Sequence, residues 1–212
     1  MVKKLLSAAR PEDRAHVQYH ISCGPGDVAR YVLLPGDPDR VQKIASQWSS
    51  RRKVAQHREF ITYTGKFKGS PVSCTSTGIG GPAAAIVVEE LLRVGADTFI
   101  RVGTTGALSK GTRVGDVVIS TGSVRLDGTS SQYVWTGYPA MANYEVVAAM
   151  VQAAESLGVR YTLGVTASTD SFYTGQGRPG FRDYMQHQSE VIIDDAKRAG
   201  IVNFEMESAT IF

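Results

Sequence analysis

A short apolar run, a glycine-rich turn and an amphipathic stretch recur along most of this chain, and that alternation limits the folds open to it. RYVLL (Arg30 to Leu34) runs into Pro35-Gly36-Asp37-Pro38, with helical spacing from Val41. PVSCTS (Pro71 to Ser76) runs into TGIGGP and then AAAIVVEELLRVG, a helix closed by Gly95, and TFIRV (Thr98 to Val102) leads into GTTGAL. Further strands are expected at Asp116 to Ser120 and Gly122 to Leu126. A helix from Asn143 to Leu157 precedes a strand at Tyr161 to Ser168, and a helix ending near Arg198 precedes a strand in IVNFE. Strands alternating with helices predict an α/β fold with a largely parallel or mixed sheet covered on both faces. Residues 1–19 are polar and mixed and read as a loosely ordered arm; residues 20–212 read as one domain. In such sheets ligands bind at the carboxyl ends of the strands, where every glycine-rich segment of this chain falls, so these segments are candidates for one shared pocket.

The formal net charge of +3 is small and dispersed, which argues against a nucleic-acid surface and for a small-molecule partner. Cys23 and Cys74 lie far apart with no further Cys or His at metal-ligand spacing, and are expected to be reduced bystanders. The start, MVKKLLSAARPEDR, lacks the apolar stretch of a signal peptide, and no run approaches the length of a membrane span, so the expected location is cytoplasmic. His16, His20, His57 and His187 show neither helical pairing for a metal nor a neighbouring Ser or Cys arranged for a triad. A chain with no evident nucleophile suits a reaction in which the protein orients two substrates and a bound anion attacks.

Four segments carry chemistry. In LLPGDPDR, Gly36 lets backbone approach a ligand and Arg40 adds a cation, but the same residues serve a plain strand-to-helix turn, with Asp37 as N-cap and Pro38 at the first helical position. Arg101 sits inside the apolar strand FIRV, where a guanidinium needs an anionic partner, either a ligand or a structural carboxylate; Gly103-Thr104-Thr105-Gly106 follows with amides and hydroxyls. FYTGQGRPG has Gly175, Gly177 and Gly180 at dinucleotide-fingerprint spacing, yet Pro179 interrupts the helix that motif must open. The stretch instead offers Phe172 to stack on a base, Gln176 as donor and acceptor, and Arg178 as donor only, a set that fits the edge of a pyrimidine-dione; a solvated loop is the alternative. Finally, an apolar strand ends in Glu205-Met206-Glu207, two acids that are costly to bury unless something pairs with them.

Taken in order, LLPGDPDR, HREF, STGIGGP, RVGTTGA, VGDV, VRLDG, TASTDSFYTGQGR and NFEMES resemble the motifs of the type I superfamily of nucleoside phosphorylases, and most closely its uridine-preferring members, from about His20 to the last residue. The resemblance implies a mixed sheet partly curled into a distorted barrel with flanking helices, and hexamers built from dimers that exchange active-site residues. It places phosphate on Gly36, Arg40, Arg101 and Thr104, with Arg58 of HREF reaching in from the neighbouring subunit. His20 would reach the primary hydroxyl of the sugar across the dimer interface, although it lies nearer the Pro-Gly-Asp turn than in bacterial relatives. Phe172, Gln176 and Arg178 would hold the base, and Glu205, Met206 and Glu207 the ribose. Glu59 matches a residue that binds a monovalent cation such as K+ between subunits, but Ala83 stands where those relatives have serine.

The implied reaction is reversible phosphorolysis of uridine to uracil and ribose 1-phosphate, with Arg101, Glu207 and Arg178 closest to the chemistry, phosphate as co-substrate and no cofactor. The alternatives are a purine nucleoside or methylthioadenosine phosphorylase of the same fold, or a catalytically impaired, nucleoside-binding homologue. The last is raised because relatives continue past EMESATIF through a full helix, another strand and a C-terminal helix.

Overall fold

The computed structural model describes residues 5–212, so the first four residues of the expected arm lie outside the described residues. The chain forms two compact units, one ending at Gly103 and one starting at Thr104. Each has its own five-stranded mixed sheet, and the fold is α/β as expected. Both sheets are open: among the described residues no strand pairing closes either into a barrel.

The first unit contains β1 (Tyr31–Pro35), α1 (Pro38–Ala45), β2 (Ser50–His57), β3 (Phe60–Phe67), β4 (Ser70–Thr75), α2 (Gly81–Arg93) and β5 (Thr98–Val102). Its strand order is β2-β3-β4-β1-β5, with β1 parallel to β4 and β5 and the other pairs antiparallel. Asp37 caps α1 by accepting from the Asp39 amide, and Pro38 occupies the first turn, as the turn reading of that segment predicts. The β2-β3 hairpin has no counterpart among the expected strands, because SRRKVAQH lacks an apolar alternation. It is an edge strand whose Arg51, Arg52 and Lys53 are exposed, which discourages pairing with another chain. Ahead of β1, the buried Gln18 donates to the Glu12 carboxylate at 3.0 Å and its backbone amide to the Cys23 carbonyl.

The second unit contains β6 (Gly106–Ala107), β7 (Val117–Leu126), β8 (Ala140–Met141), α3 (Tyr144–Ser156), β9 (Tyr161–Thr169), α4 (His187–Arg198), β10 (Asn203–Glu205) and α5 (Ser208–Ile211), with sheet order β6-β10-β9-β7-β8. The two strands expected at 116–126 are one strand. Its register against β9 shifts between Ser120 and Gly122, so a single bulge replaces the expected break. Asn143 caps α3 through the amides of Glu145 and Val146. Ala167, Ala196 and Phe204 form the buried centre under α4. No helix among the described residues is long and apolar enough to cross a membrane.

In the first unit Val41, Ala45 and Trp48 pack on Cys74, and burial pushes the Cys74 thiol up to about 12 from an ordinary 9.0. The unfolded chain then releases this proton first, so Cys74 adds stability below pH 9.0 that is lost as pH rises toward 12. The stability advantage of the wild type over Cys74→Ala should shrink above pH 9.0, by at most about 1.4 kcal/mol per pH unit, in urea titrations at successive pH values.

Candidate functional site

Parallel strands deliver their carboxyl ends to one edge, and in the first unit β1, β4 and β5 end in Gly36, Thr77-Gly78 and Gly103 respectively. There the Arg101 guanidinium donates through one terminal nitrogen to the Leu34 carbonyl at 3.0 Å and to the Thr77 hydroxyl at 3.2 Å. A Cβ on Gly36 would stand 3.0 Å from the Gly78 carbonyl oxygen and 3.1 Å from an Arg101 nitrogen. The absent side chain is therefore what lets backbone and guanidinium meet. Arg40 is half-buried in the first turn of α1 and lies 3.8 Å from Asp37, a loose pair at a partly exposed position. Gly36 and Arg101 are thus brought together beside the helix start that carries Arg40.

Arg58 is exposed at the β2-β3 turn with φ of 54°, a left-handed conformation uncommon for a side chain of this size. Its neighbour Glu59 is also exposed: its side chain would meet a Cβ on Gly78, while its carbonyl accepts from Ser76. Ala83 lies against the same glycine and offers a methyl group rather than a hydroxyl. Among the described residues no group of three or more His, Cys, Asp or Glu could hold a metal ion.

His20 is anchored by a residue that the sequence reading missed. Glu90 of α2 is buried and accepts from the His20 amide, the Ile21 amide and His20 Nδ1, the last at 2.6 Å. The signal was present: Glu90 shares a helical face with Val87 and Val94, where an acid must have partners.

In the second unit β7, β9 and β10 are parallel and end in Leu126-Asp127, Thr169-Asp170 and Glu205-Met206-Glu207. The loop after β9 brings Phe172, Gln176 and Arg178 together. Arg178 donates to the Phe172 carbonyl and to Gln176 Oε1, both at 2.7 Å, and lies 4.2 Å from the centre of the Phe172 ring. Gln176 is buried, and its amide nitrogen reaches the Thr169 hydroxyl at 3.3 Å. Gly177 makes this possible: its φ is 68°, and a Cβ there would stand 2.6 Å from Ile193 of α4.

Glu205 and Glu207 have different surroundings. Glu205 Oε1 accepts from the Ser208 hydroxyl at 2.6 Å, and Oε2 from the amides of Glu207 and Ser208, both at 2.9 Å. Its oxygens cap the start of α5. Glu207, carried by that capped turn, is itself buried, and Met206 beside it is half-buried. Thr104, exposed, opens the second unit ahead of β6.

Residues of VRLDG complete this edge. Arg125 donates to the carbonyls of Val134, Trp135 and Tyr138 and to the Ser130 hydroxyl, and Asp127 accepts from Ser130 and from Thr210 of α5. Neither was singled out from the sequence, although an arginine near the end of an apolar strand is the same signal that marked Arg101.

The chain belongs to the phosphorylase superfamily, whose family model matches residues 30–212. It is 59% identical over 212 residues to uridine phosphorylase of Thermococcus kodakarensis, covering 100% of this chain and 76% of that protein. It is 43% identical over 201 residues to uridine phosphorylase of Escherichia coli, covering 91% of this chain and 78% of that one. A guanosine phosphorylase of Halorubrum lacusprofundi is 39% identical over 195 residues, covering 92% and 76% respectively.

Two substitutions test the geometry. Gly177→Ala should cost about 1–3 kcal/mol from the left-handed φ and the Ile193 clash, seen as a lower urea midpoint. Glu205→Gln should cost a similar amount, about 1–3 kcal/mol, because a carboxamide has one accepting oxygen where the carboxylate offers two to the Glu207 and Ser208 amides and the Ser208 hydroxyl; an unchanged midpoint would show that the cap carries no stability.

Proposed function

We propose that this protein catalyses the reversible phosphorolysis of uridine to uracil and ribose 1-phosphate. The observation that carries this reading is the Phe172-Gln176-Arg178 cluster, supported by the identity to uridine phosphorylases along the whole chain. Uracil offers two carbonyls flanking one N–H. Gln176 Oε1 keeps a lone pair beyond the one given to Arg178 and accepts from that N–H, while the Gln176 amide and Arg178 donate to the carbonyls. A guanine edge replaces one carbonyl with donors, and Arg178, which can only donate, opposes it. This difference favours a pyrimidine over the guanosine-type alternative.

Phosphate is the nucleophile and co-substrate, and no resident cofactor is required. Arg101, Arg40 and the Gly36 backbone bind it, with Thr104 adding a hydroxyl and Arg58 reaching in from a neighbouring subunit of a dimer-built hexamer. Attack at the anomeric carbon proceeds as the glycosidic bond stretches, with positive charge developing on the sugar. Glu207 holds the ribose hydroxyls and sets negative charge beside it, Met206 packs on the sugar, and His20 contacts the primary hydroxyl. Glu205 supports the ribose site by holding the turn that carries Glu207. Electrons of the breaking bond pass to the uracil ring, where Gln176 and Arg178 stabilise them. Positioning and electrostatics supply the acceleration, so no side-chain nucleophile is needed. Nucleoside salvage of this kind belongs in the cytoplasm.

A panel of uridine, inosine and guanosine, each with and without phosphate, tests the reading. Uracil release that requires phosphate and outpaces purine release is the expected result; faster cleavage of inosine or guanosine would overturn it. Glu207→Gln should lower kcat by about 10²–10³-fold with the thermal midpoint retained.

A further inference from the structure

Glu90 has no part in the chemistry above, yet it is 3% exposed and receives three donors from a single dipeptide. Two of those donors are the amides of His20 and Ile21, which tie the chain ahead of β1 to α2. The third is the His20 ring. A carboxylate only accepts, so the 2.6 Å contact requires a proton on Nδ1; in the neutral ring Nε2 is then an acceptor. The residue is held from other sides as well. Tyr19 stacks edge-on to the ring at 4.9 Å, and His57 Nδ1 bonds the His20 backbone carbonyl at 3.0 Å. The His20 side chain nevertheless remains 25% exposed. An imidazole with one nitrogen fixed by a buried acid and part of its surface still open is oriented for an outside partner rather than for packing.

We infer that Glu90 is a positioning residue for ribose recognition: it fixes the His20 ring and its Nδ1–H tautomer, so that Nε2 accepts from the primary hydroxyl of the nucleoside. This inference rests on the proposed contact of His20 with that hydroxyl, and the test separates the two. KM and kcat are measured for uridine and for 5′-deoxyuridine, which lacks the hydroxyl, in the wild type, Glu90→Gln and His20→Ala. Glu90→Gln places a donor amide where the carboxylate was. It should raise KM for uridine by about tenfold, with KM for 5′-deoxyuridine changed less than about twofold and kcat nearly unchanged. His20→Ala should compress the ratio of the two KM values at least as far. If His20→Ala leaves the ratio at its wild-type value, the ribose contact of His20 is wrong and the inference falls with it. If His20→Ala compresses the ratio and Glu90→Gln does not, or if Glu90→Gln raises both KM values alike, Glu90 is only a structural tie.

Because Glu90→Gln removes a buried charge and could fail to fold, the wild type supplies an independent readout. In protein labelled with 15N-histidine, assigned with His20→Ala and recorded where the ring is neutral, His20 should show the Nδ1–H tautomer. The Nε2–H tautomer would overturn the inference.

Discussion

At the centre of each sheet the strands run parallel, β1 between β4 and β5 in one and β9 between β7 and β10 in the other. Parallel strands all finish at one edge and must return by crossovers, so the segments that follow them collect there. In the first unit that edge gathers Gly36, Thr77 and Arg101; in the second it gathers Asp127, the Phe172–Arg178 loop and Glu205–Glu207. The antiparallel strands β2, β3, β6 and β8 extend the sheets at their flanks. They also supply the β2-β3 turn, where Arg58 is held with its left-handed φ.

Buried and half-buried acids do most of the local organising. Glu90 ties His20 and Ile21 to α2, Glu205 caps the turn bearing Glu207, and the partly buried Asp127 links Ser130 to Thr210. Each takes up amide or hydroxyl donors that would otherwise lack acceptors, and each thereby fixes a neighbouring side chain. Charge in this protein thus serves two purposes, holding loops in place and, on the proposed function, meeting phosphate and ribose. On that proposal, Glu205 and Glu207 divide these purposes within one tripeptide.

Much of the fold could be read in advance, since β1, β5, β9, α3 and their boundaries follow from apolar spacing and caps such as Asp37 and Asn143. What escaped had a physical reason. β2 is a charged edge strand with no apolar alternation, and Thr121 at the bulge looked like a break between two strands. At the site, Gly36, Arg101, Gln176 and Arg178 stood out because a glycine after a strand, an arginine in one and a polar set in a glycine-rich loop are each unusual. Glu90 and Arg125 were hidden among apolar neighbours; the partners of Glu90 lie far along the chain, and those of Arg125 are backbone carbonyls and a serine of the loop that follows it.

The sequence by itself determined the α/β class, the strand ends at which ligands bind and the residue types available for phosphate, sugar and base, because these depend on local spacing and on what each side chain can donate or accept. Only the tertiary structure decided which surroundings each group meets. Glu205 and Glu207 are two residues apart and chemically identical, yet one has its oxygens occupied by the backbone of the next turn while the other is carried by that turn. A carboxylate's role is set by which donors surround it in space, and those donors come from contacts that the order of residues does not state.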